Sequence, residues 1–183
     1  MSATTAVLVI DIQRDYFPGG AYPLVGADAA AGKAKSVIDR ARADGTAVIH
    51  IRHESLDADA TFFLPGTPGA QIDDRVAPAD GELVVTKNYP NSFLATGLRE
   101  ALVAASIDEL VIVGMMSSMC VDATTRAALD QDYSVTVIHD ACAAPDLEFA
   151  GTQLPGATVH AAFMAALGDA GADVVSSASF VSE

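Results

Sequence analysis

A thiol, a carboxylate and an ammonium group occur at one kind of place in this chain. Cys120, Asp11 and Lys87 each come shortly after a short apolar run. Such a set can do nucleophilic chemistry: the sulfur attacks, the carboxylate takes the thiol proton, and the ammonium holds the anions in place. Taken singly, each is weak evidence. A lone Asp after a strand is usually a cap or turn residue, a lone Lys a solvated charge, and a lone Cys a small buried apolar side chain.

The elements that must position them can be read from periodicity. Leu110 to Val113 is unbroken and apolar, as expected of a strand buried on both faces, and Gly114 ends it. Ser117 or Ser118 is placed to cap a helix that runs from Met119. Asp122, Arg126 and Asp130 form one charged stripe on it, while Val121, Thr125, Ala128 and Leu129 share another face. Cys120 then falls in the first helical turn, where unpaired N–H groups and the macrodipole favour a thiolate. There a thiol pKa can drop from about 8.5 to about 3.5–7.5. The same N–H groups could hold an oxyanion.

The other two residues have similar settings. Ala6 to Ile10 is an apolar strand ending at Asp11, followed by a turn-rich loop. Ala27 to Asp44 has helical spacing and is stopped by Gly45; Ala47 to Arg52 is the second strand. His53 to Gly81 lacks periodicity, and a loop that long is usually a lid or pocket wall. Leu83 to Thr86 is a third strand with Lys87 at its end, and Asn91 or Ser92 is placed to cap a helix over 93–105. Ser134 to Ile138, a helix near 157–167 and a short strand 173–176 complete the chain. Strands alternating with helices predict a parallel sheet covered on both faces, with the ligand crevice at the strands' C-terminal edge.

Composition narrows the function. The chain has 183 residues, enough for one domain over 1–183 with a sizeable core, and a formal net charge of −14. That charge argues against nucleic acid or an anionic membrane as partner. Cys120 and Cys142 give no disulfide framework, and Cys142 reads as a small buried residue. The N-terminal stretch lacks a basic segment and meets Asp11 early, so neither a signal peptide nor a membrane span is expected, and a cytoplasmic location is.

Several motifs together resemble the isochorismatase-like cysteine hydrolase superfamily over essentially the whole length. They are Val9-Ile-Asp11-Ile-Gln13-Arg-Asp15-Tyr-Phe17, Lys87-Asn-Tyr-Pro-Asn-Ser92-Phe93, Val113-Gly114-Met-Met-Ser117-Ser-Met-Cys120-Val121, Thr124-Thr-Arg-Ala127, His139-Asp140-Ala-Cys142 and Val159-His160. The resemblance implies an α/β/α sandwich, Rossmann-like, around a six-stranded parallel sheet. It implies Asp11 as base, Lys87 as electrostatic partner and Cys120 as nucleophile. It also implies a cis Met115–Met116 peptide, with the backbone N–H groups of Met116 and Cys120 as oxyanion hole. Members are commonly homodimers or homotetramers. Amidase members cleave small amides, carbamoyl compounds or lactams through a thioester, whereas isochorismatases hydrolyse a vinyl ether protonated by the Asp and do not need the cysteine.

The metal-binding members carry Asp-x-His after the second strand, and here that region reads His50-Ile-Arg52-His53-Glu54. No catalytic metal or other cofactor is therefore expected. His50 reads as a hydrogen-bonded core histidine. Arg52 and His53 are candidates to read a substrate carbonyl or carboxylate. Gln13, Phe17, Phe62, Phe63, Tyr89 and Phe93 are candidate pocket walls for a small-molecule substrate. His139 raises a rival, a Cys–His pair of the thiol-protease kind, which leaves Asp11 and Lys87 without a role. A third reading keeps the scaffold as a non-enzymatic binding protein.

Overall fold

A computed structural model describes residues 4–181. In chain order the elements are β1 (Thr5–Ile10), α1 (Ala27–Asp44), β2 (Ala47–His53), β3 (Leu83–Lys87), α2 (Leu98–Ala104) and β4 (Glu109–Met115). There follow α3 (Asp122–Leu129), β5 (Ser134–Ala143), β6 (Leu147–Phe149), β7 (Thr152–Leu154), α4 (Gly156–Asp169), β8 (Asp173–Val175) and α5 (Ser177–Val181). The main sheet is six-stranded and parallel in the order β3-β2-β1-β4-β5-β8, with β6 and β7 a separate antiparallel pair.

Why the central strands read as continuous apolar runs is visible in their packing. Val7 and Val9 of β1 and Val111 and Val113 of β4 pack on α1, through its stripe Ala27, Ala30, Ala31, Ala34, Val37, Ile38 and Ala41. The alternate residues Ala6, Leu8, Ile10, Leu110 and Ile112 pack on Leu98 and Leu102 of α2, Ala128 of α3, and Met164 and Leu167 of α4. Each strand thus faces a core on both sides, which is the expected three-layer sandwich. Gly45 ends α1 in the left-handed region (φ 74°), its N–H bonded back to Ala41 O and Arg42 O.

Three boundaries differ from expectation, each for a local reason. Neither Asn91 nor Ser92 caps a helix at 93, because the Ser92 N–H and hydroxyl bond to Thr124 Oγ1 at 3.0 and 2.8 Å; α2 begins only at Leu98. Neither Ser117 nor Ser118 caps α3. Ser117–Val121 is a π-helical turn in which Val121 N–H reaches back to Met116 O at 3.2 Å, and α3 follows it. β5 runs on past Ile138 to Ala143, since its pairing with β4 shifts between Ile112↔Val137 and Gly114↔Cys142.

The chain goes from β1 outward to β2 and β3, then crosses back to place β4 on β1's other side. The gap between the ends of β1 and β4 is the topological switch point, where ligand crevices form. Gly114 lies there with φ +140°, and a Cβ on it would sit 2.1 Å from Ile10 O. Only glycine lets the two strand ends come that close.

Candidate active site

Asp11 leaves β1 with φ +49°, a conformation Asp tolerates better than most residues, while its N–H still bonds to Ile51 O at 3.1 Å. Its side chain is fully buried. From two strands away Lys87 extends inward along the sheet edge and is buried as well, and Cys120 enters from the turn after β4. The Met115–Met116 peptide before that turn is cis, as the resemblance implies.

Lys87 joins the set. Its Nζ stands 2.7 Å from Asp11 Oδ2 and 3.3 Å from Cys120 Sγ. It also stands 3.0 Å from His53 Nδ1. The first contact is an ion pair and the other two are hydrogen bonds of the ammonium. Asp11 Oδ1 has no hydrogen-bond partner among the described residues, so the carboxylate retains capacity for a proton. Donor atoms of Asp11, His53 and Cys120 lie within 4.8 Å of one another, close enough to share an ion. The Lys87 ammonium touches an atom of each of the three.

The charge balance corrects one expectation. Burial pushes the Cys120 thiol well above its ordinary range and the Asp11 carboxylate pushes it further, outweighing the pull of Lys87. The physical reason is a count. One ammonium neutralises one anion in a buried site, and of a carboxylic acid and a thiol the former is the stronger acid by about 4–5 units. A second anion on sulfur would leave the site with a net negative charge. The resting sulfur is therefore a thiol beside an Asp–Lys ion pair, and the helix terminus does not reverse that. Burial alone would lower Lys87's pKa, but its interactions with Asp11 and Cys120 together more than offset this and the net shift is upward.

An isochorismatase domain model matches residues 5–179. The chain belongs to the isochorismatase family. It is 42% identical over 178 residues to the isochorismatase family protein YddQ of Bacillus subtilis, covering 97% of this chain and 99% of that one. A crystal structure from Oleispira antarctica assigned as an isochorismatase hydrolase superposes with a TM-score of 0.96 at 49% identity, covering 100% of this chain and 98% of the other. Maleamate amidohydrolase of Pseudomonas putida is 31% identical over 149 residues, covering 74% of this chain and 70% of its own length. The family's members are hydrolases, amidohydrolases among them, and this chain is an isochorismatase-family hydrolase.

Within this family framework the predicted pocket residues divide. His53 is at the site, its ring between Lys87 and Phe63, whose centroid is 5.9 Å away. Arg52 is not. Strand side chains alternate, so Arg52 points away from His53 and bonds Thr86 Oγ1 and Glu54 Oε1, each at 3.1 Å. Gln13 is buried and its amide is engaged with backbone: Nε2 donates to His53 O and Ala70 O at 2.9 and 2.8 Å, and Oε1 accepts from His53 N–H at 2.7 Å. It clamps His53 and does not face the cavity. Phe17 lies under the Arg75 guanidinium at 4.3 Å, and Phe93 stacks on Tyr133 at 6.0 Å. Phe62 and Phe63 join Tyr16 and Tyr22 in one aromatic cluster. Tyr89, half-exposed, lines a cavity beside His53.

Two positioning residues escaped the sequence reading. Asp15 is buried, and its carboxylate accepts the N–H groups of Phe63 at 2.7 Å and Ala21 at 3.2 Å, tying down the aperiodic loop. Its place within Asp11-Ile-Gln13-Arg-Asp15 was the available signal. Ser117 donates to Ala143 O at 3.1 Å and is 2.8 Å from His160 Nδ1, pinning the Cys120 turn to β5 and α4. His50 is the expected core histidine, fully buried with Nε2 2.8 Å from Glu82 Oε2. The imidazole that accompanies Cys120 is thus His53, and the rival pairing through His139 has no support in the geometry.

Among the described residues no helix is long and apolar enough to cross a membrane.

Proposed function

We propose that this hydrolase cleaves a C–N bond of a small amide, carbamoyl or lactam compound, with Cys120 as nucleophile. The observation that carries the reading is the mutual contact of three buried groups, with Lys87 2.7 Å from Asp11 and 3.3 Å from Cys120.

As the sulfur attacks the substrate carbonyl, its proton passes to Asp11, whose free Oδ1 can accept it. The proton arrives as the sulfur loses it, so no second buried anion persists. Backbone N–H groups of Met116 and Cys120 are the donors for the developing oxyanion. Asp11 then protonates the nitrogen, the C–N bond breaks, and ammonia or an amine leaves a thioester. Water, deprotonated by Asp11, attacks that carbonyl; the C–S bond breaks, the acid departs and the sulfur regains its proton. Lys87 keeps its charge throughout and holds both partners.

The test is ammonia release from a panel of small amides, ureides and carbamoyl compounds by wild type and Cys120→Ala. Loss of turnover with the variant, together with a Cys120 adduct of acyl mass in the wild type, supports the reading. Full activity in Cys120→Ala sinks it. The second reading, vinyl ether hydrolysis, then predicts that Asp11→Ala alone abolishes turnover of isochorismate. Asp11 favours it, as a buried proton carrier that does not depend on the sulfur.

A further inference from the structure

Beside His53 a cavity of about 450 Å³ opens to solvent, lined by Ser55, Leu56, Asp57, Asn88, Tyr89 and Pro90 as well. His53 is shared between this cavity and the buried cluster: it lines the one, and its Nδ1 is 3.0 Å from Lys87 Nζ in the other. Its lining holds one carboxylate, Asp57, and no Lys or Arg.

The two cations closest in sequence to this rim are both outside the cavity lining. Lys87 Nζ is ringed by Asp11 Oδ2, His53 Nδ1 and Cys120 Sγ at 2.7, 3.0 and 3.3 Å, so its charge faces groups of the buried cluster itself. Arg52 lies on the opposite face of β2, its Nη2 directed at Glu54 and Thr86. His53 is neutral in the neutral range, because burial and the Lys87 charge hold its pKa down. The chain as a whole carries a formal charge of −14. An anion brought to this cavity meets a negative field and a lining without a cationic side chain, whereas a neutral or cationic molecule meets no such barrier.

From this arrangement we infer that the site selects by charge: it takes amides whose non-reacting part is neutral or cationic and excludes those bearing a carboxylate. The inference rests on the reading of Cys120 as nucleophile and sharpens it. It sets this chain apart from a hydrolase of maleamate, an anion. It also weighs against isochorismate, a dicarboxylate.

Alkylation of Cys120 tests the charge selection without requiring a known substrate. Second-order rates with neutral iodoacetamide and anionic iodoacetate are measured at Cys120 by mass spectrometry of the digested protein, with N-acetylcysteine as the free-thiol reference. The ratio of iodoacetamide to iodoacetate rates is expected to exceed that of N-acetylcysteine by about tenfold or more. Asp57→Asn narrows it and Asp57→Lys narrows it further. A ratio equal to or below the free thiol's overturns the inference, as does a ratio indifferent to Asp57→Lys.

A matched trio then reads turnover: butanamide, 3-aminopropanamide and succinamate. The expected kcat/KM for succinamate is lower than for the other two by about tenfold or more, and succinamate as the best of the three overturns the proposal. If none of the trio releases ammonia while the alkylation ratio is high, the charge selection stands and the amide reading is what fails.

Discussion

Lys87 Nζ lies 2.7 Å from Asp11 Oδ2, with both side chains shut off from solvent. A pair of this kind is costly to break and cheap to delete together. Lys87→Met leaves an uncompensated buried carboxylate and is expected to cost about 3–5 kcal/mol, whereas Lys87→Met with Asp11→Asn recovers most of that loss. Urea unfolding of the two single variants and the double variant measures the coupling. Activity stays absent in all three. A double variant no more stable than Lys87→Met would mean that the pair is not what holds this part of the fold.

His53 presents Nδ1 to the same ammonium at 3.0 Å, while Gln13 grips its backbone from both sides. Asn in its place keeps an acceptor where Nδ1 stood; Phe keeps only the bulk. We expect His53→Phe to lower kcat by about tenfold or more and His53→Asn to retain most of it, because a small displacement of a catalytic group is costly. Steady-state ammonia release with both variants decides this, and equal activities would reduce His53 to packing.

Gly114 fits where the ends of β1 and β4 meet, and an added Cβ would lie 2.1 Å from Ile10 O. The obstacle is main chain on a strand buried on both faces, so it cannot rotate aside. Gly114→Ala is expected to destabilise by about 3 kcal/mol or more and to abolish activity, since the crevice itself must deform. A thermal melt unchanged from wild type would contradict the close approach.

Away from the site, Glu82 accepts from Arg42 Nε and Nη2, from Ala79 N–H and from His50 Nε2, each at 2.8 Å. The Arg42 hydrogen bonds hold its carboxyl at about 2, below the ordinary 4.5. A depressed carboxyl contributes stability above its unfolded value, and that contribution disappears as pH falls from about 4.5 towards about 2. His50, held below 6.5 by burial, acts in the same direction, since its neutral ring is favoured in the fold and must charge as the medium acidifies. Glu82→Gln should therefore cost about 1–2 kcal/mol at pH 7 and almost nothing near pH 2. Unfolding curves at the two pH values test the convergence.

Much of the fold was legible because its signals are local. Val7 to Ile10 and Leu110 to Val113 are apolar at every position, and only a strand with cores on both faces asks for that. Gly45 announced the end of α1 through its left-handed conformation. Misreadings arose where a local signal met a distant competitor. Ser92 looked like a cap until Thr124, 32 residues on, took its hydroxyl. Arg52 and His53 were read as a pair, although neighbours in a strand cannot both face one cavity.

The residues themselves determined the architecture and the family, and singled out Asp11, Lys87 and Cys120 as candidate reacting groups, because periodicity, turn chemistry and motif spacing are written along the chain. What only the tertiary structure decided is the state of those groups. A thiol that position alone marked for easy ionisation stays protonated, because the carboxylate folded against it claims the single ammonium, and protonation in a buried site follows from how many charges converge there.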